Sequence, residues 1–167
     1  MEMDEQDRFI ERTGQLFEET EGLPRIAGRI VGLLLITPGE CSIDEMAERL
    51  AVSRASISID ARRLEQCGVV ERVTRPGDRR DYYRIAPDHY TRALERRLAV
   101  MQRFAELIAD GRRMKSTSPE VRERLDEAAD AMGIVIEATT QELARWRATR
   151  EKRRAAAQHS RNGRAGS

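Results

Sequence analysis

The chain has 167 residues, 40% apolar, 4% aromatic and 35% charged, with a formal net charge of +1. This predicts one domain, or one with helical extensions, around a modest core of aliphatic side chains. Two cysteines allow no disulfide framework or zinc spacing, the acidic N-terminus lacks a signal-peptide pattern, and the longest apolar run, residues 30–36, is too short to cross a bilayer.

A cytoplasmic protein with no membrane association, no metal and no cofactor is therefore expected. The near-neutral total hides an asymmetry. Residues 1–21 carry eight acids against Arg8 and Arg12, residues 53–84 carry eight arginines against five acids, and residues 150–164 carry six Lys or Arg against Glu151. A local basic surface is what steers nucleic acid, whatever the overall charge.

Along the chain, residues 4–19 place Phe9, Ile10, Thr13, Leu16 and Phe17 on one helical face. Gly22-Leu23-Pro24 breaks this helix, and Pro24 suits the first turn of the next. Residues 24–36 are nearly apolar all round, which predicts a buried helix. Gly28 and Gly32, four apart, fit either a close contact at a dimer seam or ordinary packing inside one subunit. Thr37-Pro38-Gly39 ends this helix.

Ser42 and Glu45 form a capping-box pattern ahead of Ile43, Met46, Ala47 and Leu50. Ala51-Val52 makes a turn, and Ser53 caps a helix to about Gln66, with Gly68 as its left-handed terminator. Residues 69–73 and 81–85 read as strands around a Pro-Gly turn. Pro87-Asp88 opens a long helix to about Ala109, striped by Tyr90, Leu94, Leu98, Met101, Ala105 and Ile108. After a polar break at 111–118, Ser118-Pro119 starts a last helix to about Arg154. Residues 155–167 lack periodicity and predict a disordered tail.

Helix, turn, helix and two strands around a tight turn describe a winged helix-turn-helix, which places one helix in the DNA major groove. The predicted fold is mainly α with a small β wing, plus long N- and C-terminal dimerisation helices. Its expected parts are N-terminal helices for dimerisation and core (1–36), the DNA-binding module (37–87), C-terminal dimerisation helices (88–154) and the tail.

On a helical wheel, Ile57, Ala61 and Leu64 anchor the second helix of the motif. The opposite side carries Ala55, Ser56, Ser58, Ile59, Arg62 and Arg63. Serine hydroxyls bond bases or phosphates, arginine binds guanine in bidentate fashion, and Ala55 and Ile59 suit thymine methyls. The helix start favours a phosphate near Ser53 and Arg54. In the turn, Arg75, Arg79 and Arg80 suit a narrow minor groove. Asp78 is expected to pair with a neighbouring arginine, leaving Arg79 for DNA. Tyr82 and Tyr83 point to opposite faces of their strand, one to the core and the other to a phosphate or an effector cavity. They join Tyr90, Phe104 and Trp146 as the few aromatic candidates for an effector site, although Trp146 fits the dimer helices better.

The run PRIAGRIVGLL at residues 24–34, the recognition-helix start SRASIS and the wing PGDRRDYY together resemble the MarR-type winged helix regulators, in particular the GbsR-like branch. The resemblance covers about residues 8–110, and the last helix fits in character only. It implies a homodimeric transcriptional regulator, usually a repressor, on a pseudo-palindromic operator, released by a small molecule or by cysteine oxidation. Independently, the apolar stripes of residues 4–19, 88–109 and 119–146 exceed what one small winged module covers, which implies a partner, most simply a second copy.

An enzyme is not expected. The only histidines are His89, placed to cap a helix start, and His159, and no phosphate loop or metal-ligand spacing appears. Two alternatives stand beside a ligand-released repressor: a redox sensor using Cys41 and Cys67, and a winged helix that binds protein instead of DNA.

Overall fold

The computed structural model describes residues 4–115 and 118–164. The elements in order are α1 (Glu5–Glu21), α2 (Arg25–Ile36), β1 (Cys41–Ser42), α3 (Ile43–Leu50), α4 (Arg54–Gln66), β2 (Val70–Val73), β3 (Tyr82–Ile85), α5 (His89–Arg112) and α6 (Pro119–Arg164). They form a winged helix-turn-helix with long terminal helices. Two compact units part between His89 and Tyr90.

In the first unit α1 and α2 cross closely because three glycines remove side chains from their contact. A Cβ on Gly28 would stand 2.7 Å from Phe17 Cβ and 2.8 Å from Gly14 Cα, and one on Gly32 would stand 3.1 Å from Ile10 Cα. Both glycines of α2 therefore serve packing inside the subunit. Gly14 faces them from α1, where a Cβ would lie 3.0 Å from the Arg25 carbonyl oxygen. The crossing buries Ile10, while Phe9 and Leu16, of the same apolar stripe, are exposed. α2 is also less enclosed than its composition suggests, since Leu35 at its end is exposed.

The core continues from Ile30, Val31 and Leu34 of α2 into Met46 and Leu50 of α3, Ile57, Ala61 and Leu64 of α4, and Val70 and Tyr83 of the sheet. The capping box at the start of α3 forms as expected: the Ser42 hydroxyl accepts from Glu45 N–H at 3.2 Å, and Ser42 N–H donates to Glu45 Oε2 at 2.6 Å. Ala51 turns the chain between α3 and α4 in the left-handed region, at φ 52°. Arg29 of α2 supports that turn. Its Nη2 donates to the Leu50 carbonyl at 2.8 Å, and its Nε pairs with Glu11 of α1 at 2.6 Å.

The sheet is antiparallel in the order β1-β3-β2, with Ser42 opposite Tyr82 and Val70 opposite Ile85. β1 was not expected from the sequence. Two residues give no alternation to read, yet they tie the α3 cap to the wing.

In the second unit the start of α5 meets the far part of α6. Trp146 packs edge-on against Tyr90 with centroids 5.5 Å apart and donates from Nε1 to Thr91 at 3.1 Å, while Arg147 pairs with Glu95 at 2.7 Å. Trp146 therefore has a partner within its own chain. The end of α5 meets the start of α6 through Arg112 and Asp126 at 2.7 Å. Val100, Phe104 and Leu107 form an exposed stripe on α5. α6 runs ten residues beyond its expected end, so residues 155–164 are helical, not the disordered tail predicted. Ala155, Ala156 and Ala157, which open that stretch, are the strongest helix formers. Residues 165–167 of the tail, and 116–117 of the polar break, lie outside the described residues. No helix among the described residues is long and apolar enough to cross a membrane.

Candidate nucleic-acid interface

α4 starts at Ser53, whose hydroxyl accepts from Ser56 N–H at 3.1 Å and lies 2.8 Å from the Ser56 hydroxyl. Ile57, Ala61 and Leu64 are fully buried and fix the helix in the core. The other side of the wheel is open: Ala55, Ile59, Arg62 and Arg63 are exposed, and Ser56 and Ser58 are half-buried. Ile59, at 59% exposure, has no role in the core.

The arginines of this helix differ in their restraints. Arg54 pairs with Asp44 of α3 at 2.7 Å and braces the two helices against each other. Arg62 folds back on Ser58, with Nη2 2.7 Å from the hydroxyl and Nε 3.2 Å from the carbonyl. Arg63 Nη1 lies 3.0 Å from Asp60 Oδ1. Asp60 did not enter the sequence reading, because an acid in a basic helix is ordinarily a solvated residue, yet it is 5% exposed. At the far end Gly68, at φ 69°, lets Val69 N–H reach the Leu64 carbonyl at 2.9 Å and ends the helix.

The wing turns at Gly77, whose φ of 80° favours glycine. Two of its three arginines are held within the chain. Arg80 places Nη2 2.7 Å and Nε 3.0 Å from Asp78 Oδ2, and its backbone N–H donates to Asp78 Oδ1 at 3.0 Å. Arg75 donates to Glu40 at 3.0 Å and lies 3.8 Å above the Tyr82 ring, whose hydroxyl donates to Asp78 at 2.7 Å. Arg79 makes no hydrogen bond or ion pair among the described residues and is exposed.

The expectation that one tyrosine of β3 would face an open site is corrected: Tyr82 is 1% and Tyr83 2% exposed. Tyr82 lies under the wing arginines, and Tyr83 belongs to the core. Tyr90 lies in the second unit against Trp146.

The wing contacts set its electrostatics. The Arg80 side chain, the Arg80 backbone N–H and the Tyr82 hydroxyl hold the Asp78 carboxyl well below the usual carboxylate range, and Asp78 in turn raises the Arg80 guanidinium. The Ser42 backbone N–H and hydroxyl similarly lower Glu45. A carboxyl lowered by folding stabilises the native state above its unfolded pKa, about 4, and this contribution is lost as pH falls. Thermal melts between pH 2 and 6 should therefore show wild-type stability falling below about pH 4, and a shallower fall in Asp78→Asn. Equal slopes would mean that these contacts do not distinguish the folded state.

The cysteines do not support a redox switch. Cys41 is buried on β1, and burial pushes its thiol pKa up, which keeps it protonated and unreactive. Cys67 is exposed just past α4. Both are free, and they are not positioned for such a switch.

A family model described as MarR family matches residues 21–81, from the end of α1 through the wing turn. The HTH-type transcriptional regulator MmpR5 of Mycobacterium tuberculosis is 35% identical over 140 residues, which cover 83% of this chain and 84% of that one. The chain belongs to the MarR family. A MarR-family protein is a non-catalytic DNA-binding transcriptional regulator, so this one is not an enzyme. A crystal structure of a transcriptional regulator matches this MarR-family chain with a TM-score of 0.68 and 33% identity, over 86% of this chain and 98% of that one. The HTH-type transcriptional repressor OpcR of Bacillus subtilis is 20% identical over 133 residues, covering 73% of this chain and 71% of its own.

Proposed function

We propose that this protein is a cytoplasmic, homodimeric repressor of the GbsR-like branch, which reads a pseudo-palindromic operator with α4 in the major groove and the wing in the minor groove. The observation that carries the reading is the division of α4. Fully buried Ile57, Ala61 and Leu64 fix one side, and the other presents Ala55, Ile59, Arg62 and Arg63 to solvent. Small residues early on that face admit a close approach to base edges, and arginines further on supply bidentate donors. Ser53 and Ser56 at the helix start suit a phosphate. In the wing, Arg75 and Arg80 brace the turn and Arg79 enters the minor groove, where negative potential is strongest.

The branch assignment rests on the three sequence runs at 24–34, 53–58 and 76–83. The repressor reading is supported by the likeness to OpcR. The dimer reading rests on exposed apolar side chains that a second copy would cover: Phe9 and Leu16 on α1, and Val100, Phe104 and Leu107 on α5. In this reading residues 1–36 and 88–154 serve dimerisation and residues 37–87 bind DNA. A small-molecule effector releases the operator, with Tyr90 as the one exposed tyrosine of the three considered for it.

Binding of single alanine variants across a salt series tests the assignment. Arg62→Ala should weaken operator binding about 5- to 100-fold, mostly through lost sequence preference. Arg79→Ala should weaken binding to all sequences and lower the salt slope by about 1. Wild-type affinity and slope in both variants would remove these residues from the interface and favour a protein-binding winged helix.

A further inference from the structure

Asp60 is the one acidic side chain buried in α4 among the described residues, on the side that otherwise holds Ile57, Ala61 and Leu64. A buried carboxylate is strongly unfavourable unless paired, and packing alone is better served by an alanine or a valine. Burial pushes the Asp60 carboxyl up, against the opposing pull of the Arg63 charge. Its partner at 3.0 Å is Arg63, one turn further on, which stands at the edge of the exposed face with 43% of its side chain open. Asp60 engages only Nη1, and the Nε and Nη2 donors of Arg63 make no hydrogen bond among the described residues. A long side chain is thus tied at one tip of its planar fork, with the remaining donors free.

We propose that Asp60 is a positioning residue that holds the Arg63 guanidinium so that its free donors select one guanine in each operator half-site. Guanine presents O6 and N7 together in the major groove, the acceptor pair that a guanidinium fork matches. An unrestrained arginine loses much rotamer freedom on binding, whereas a tied one has already lost most of it. The inference rests on the DNA-reading role proposed for α4. It adds that Arg63 is a directed reader with a buried support and that Asp60, which touches no base, sets specificity.

The test uses the full-length protein and duplexes carrying its selected operator with every single base-pair replacement. Wild type should prefer guanine at one half-site position by about 5- to 100-fold. Asp60→Asn should reduce that preference at least about 5-fold, with other positions and the salt slope unchanged. Arg63→Ala should abolish it at the same position, and adding Asp60→Asn to Arg63→Ala should change nothing further. Arg63→Lys keeps the charge without the fork, so it should bind but lose the preference, and it carries the test if a melt shows Asp60→Asn unfolded. Retained guanine preference in folded Asp60→Asn or in Arg63→Lys would overturn the inference, as would Arg63→Ala lowering only the melting temperature. A wild type that prefers no sequence would overturn the underlying DNA reading as well. A preferred operator insensitive to Asp60 and Arg63 would overturn this inference alone.

Discussion

Gly28→Val should destabilise the first unit by about 3 kcal/mol, measured by urea unfolding followed by circular dichroism. The first atom of a side chain here would lie 2.7 Å from Phe17 Cβ, 2.8 Å from Gly14 Cα and 2.8 Å from the Thr13 carbonyl oxygen. Two of those neighbours are α1 backbone, so relief requires the helices to separate. Separation would strain the Arg29 contacts to Glu11 and Leu50, which link the crossing to the turn before α4. Valine gains less than about 1 kcal/mol over glycine in helix propensity, too little to offset the clash. The loss of stability should therefore be accompanied by weaker DNA binding. Gly133→Ala on α6 is the control, since nothing lies within 4 Å of its added Cβ, and it should not destabilise the protein. Wild-type stability in Gly28→Val would mean that the helices do not cross this closely.

The second large effect separates two isoleucines of one helix. Ile57 is fully buried and Ile59 is 59% exposed. Ile57→Ala should cost about 2–5 kcal/mol, from the lost transfer free energy of the side chain and the cavity left in the core to which it belongs. Ile59→Ala should change stability by less than about 0.5 kcal/mol, as surface replacements do. Its effect should fall on the operator instead, with discrimination lost at a thymine whose methyl it covers. Thermal melts and operator binding on both variants give four numbers, which should form a crossed pattern. If Ile59→Ala destabilised the fold as much as Ile57→Ala, the assignment of buried and reading faces would be reversed.

These two positions also show how much was legible in the sequence. Spacing at 3.6 residues separated Ile57 from Ile59 without coordinates, and the capping box at Ser42 and Glu45 marked the start of α3 because its two partners are three residues apart. Local signals of this kind carried the motif. Features set by distant residues did not show. Gly28 and Gly32 indicated a close contact, but whether the contact lay within one chain depended on Gly14 and Phe17 of another helix. The presence of Asp78 suggested that one wing arginine would be paired. That Arg75 is also held depends on Glu40, 35 residues earlier, and on the ring of Tyr82. Tyr82 alternates with the core-facing Tyr83 as a strand should, but the wing arginines cover its outer face. Asp60 falls about 40° from Leu64 on the wheel, on the anchored side, but its charge suggests solvent, and the packing of α4 buries it.

Selection of bound duplexes from random DNA by the wild-type protein, repeated with the double variant Arg62→Ala/Arg79→Ala, tests directly whether α4 and the wing read an operator. Wild type should select an inverted repeat whose half-site centres lie about one helical turn apart, as expected when two recognition helices engage one face of the duplex, and the variant should lose that enrichment. Recovery of unrelated sequences by wild type, or of the same repeat by the variant, would contradict that reading.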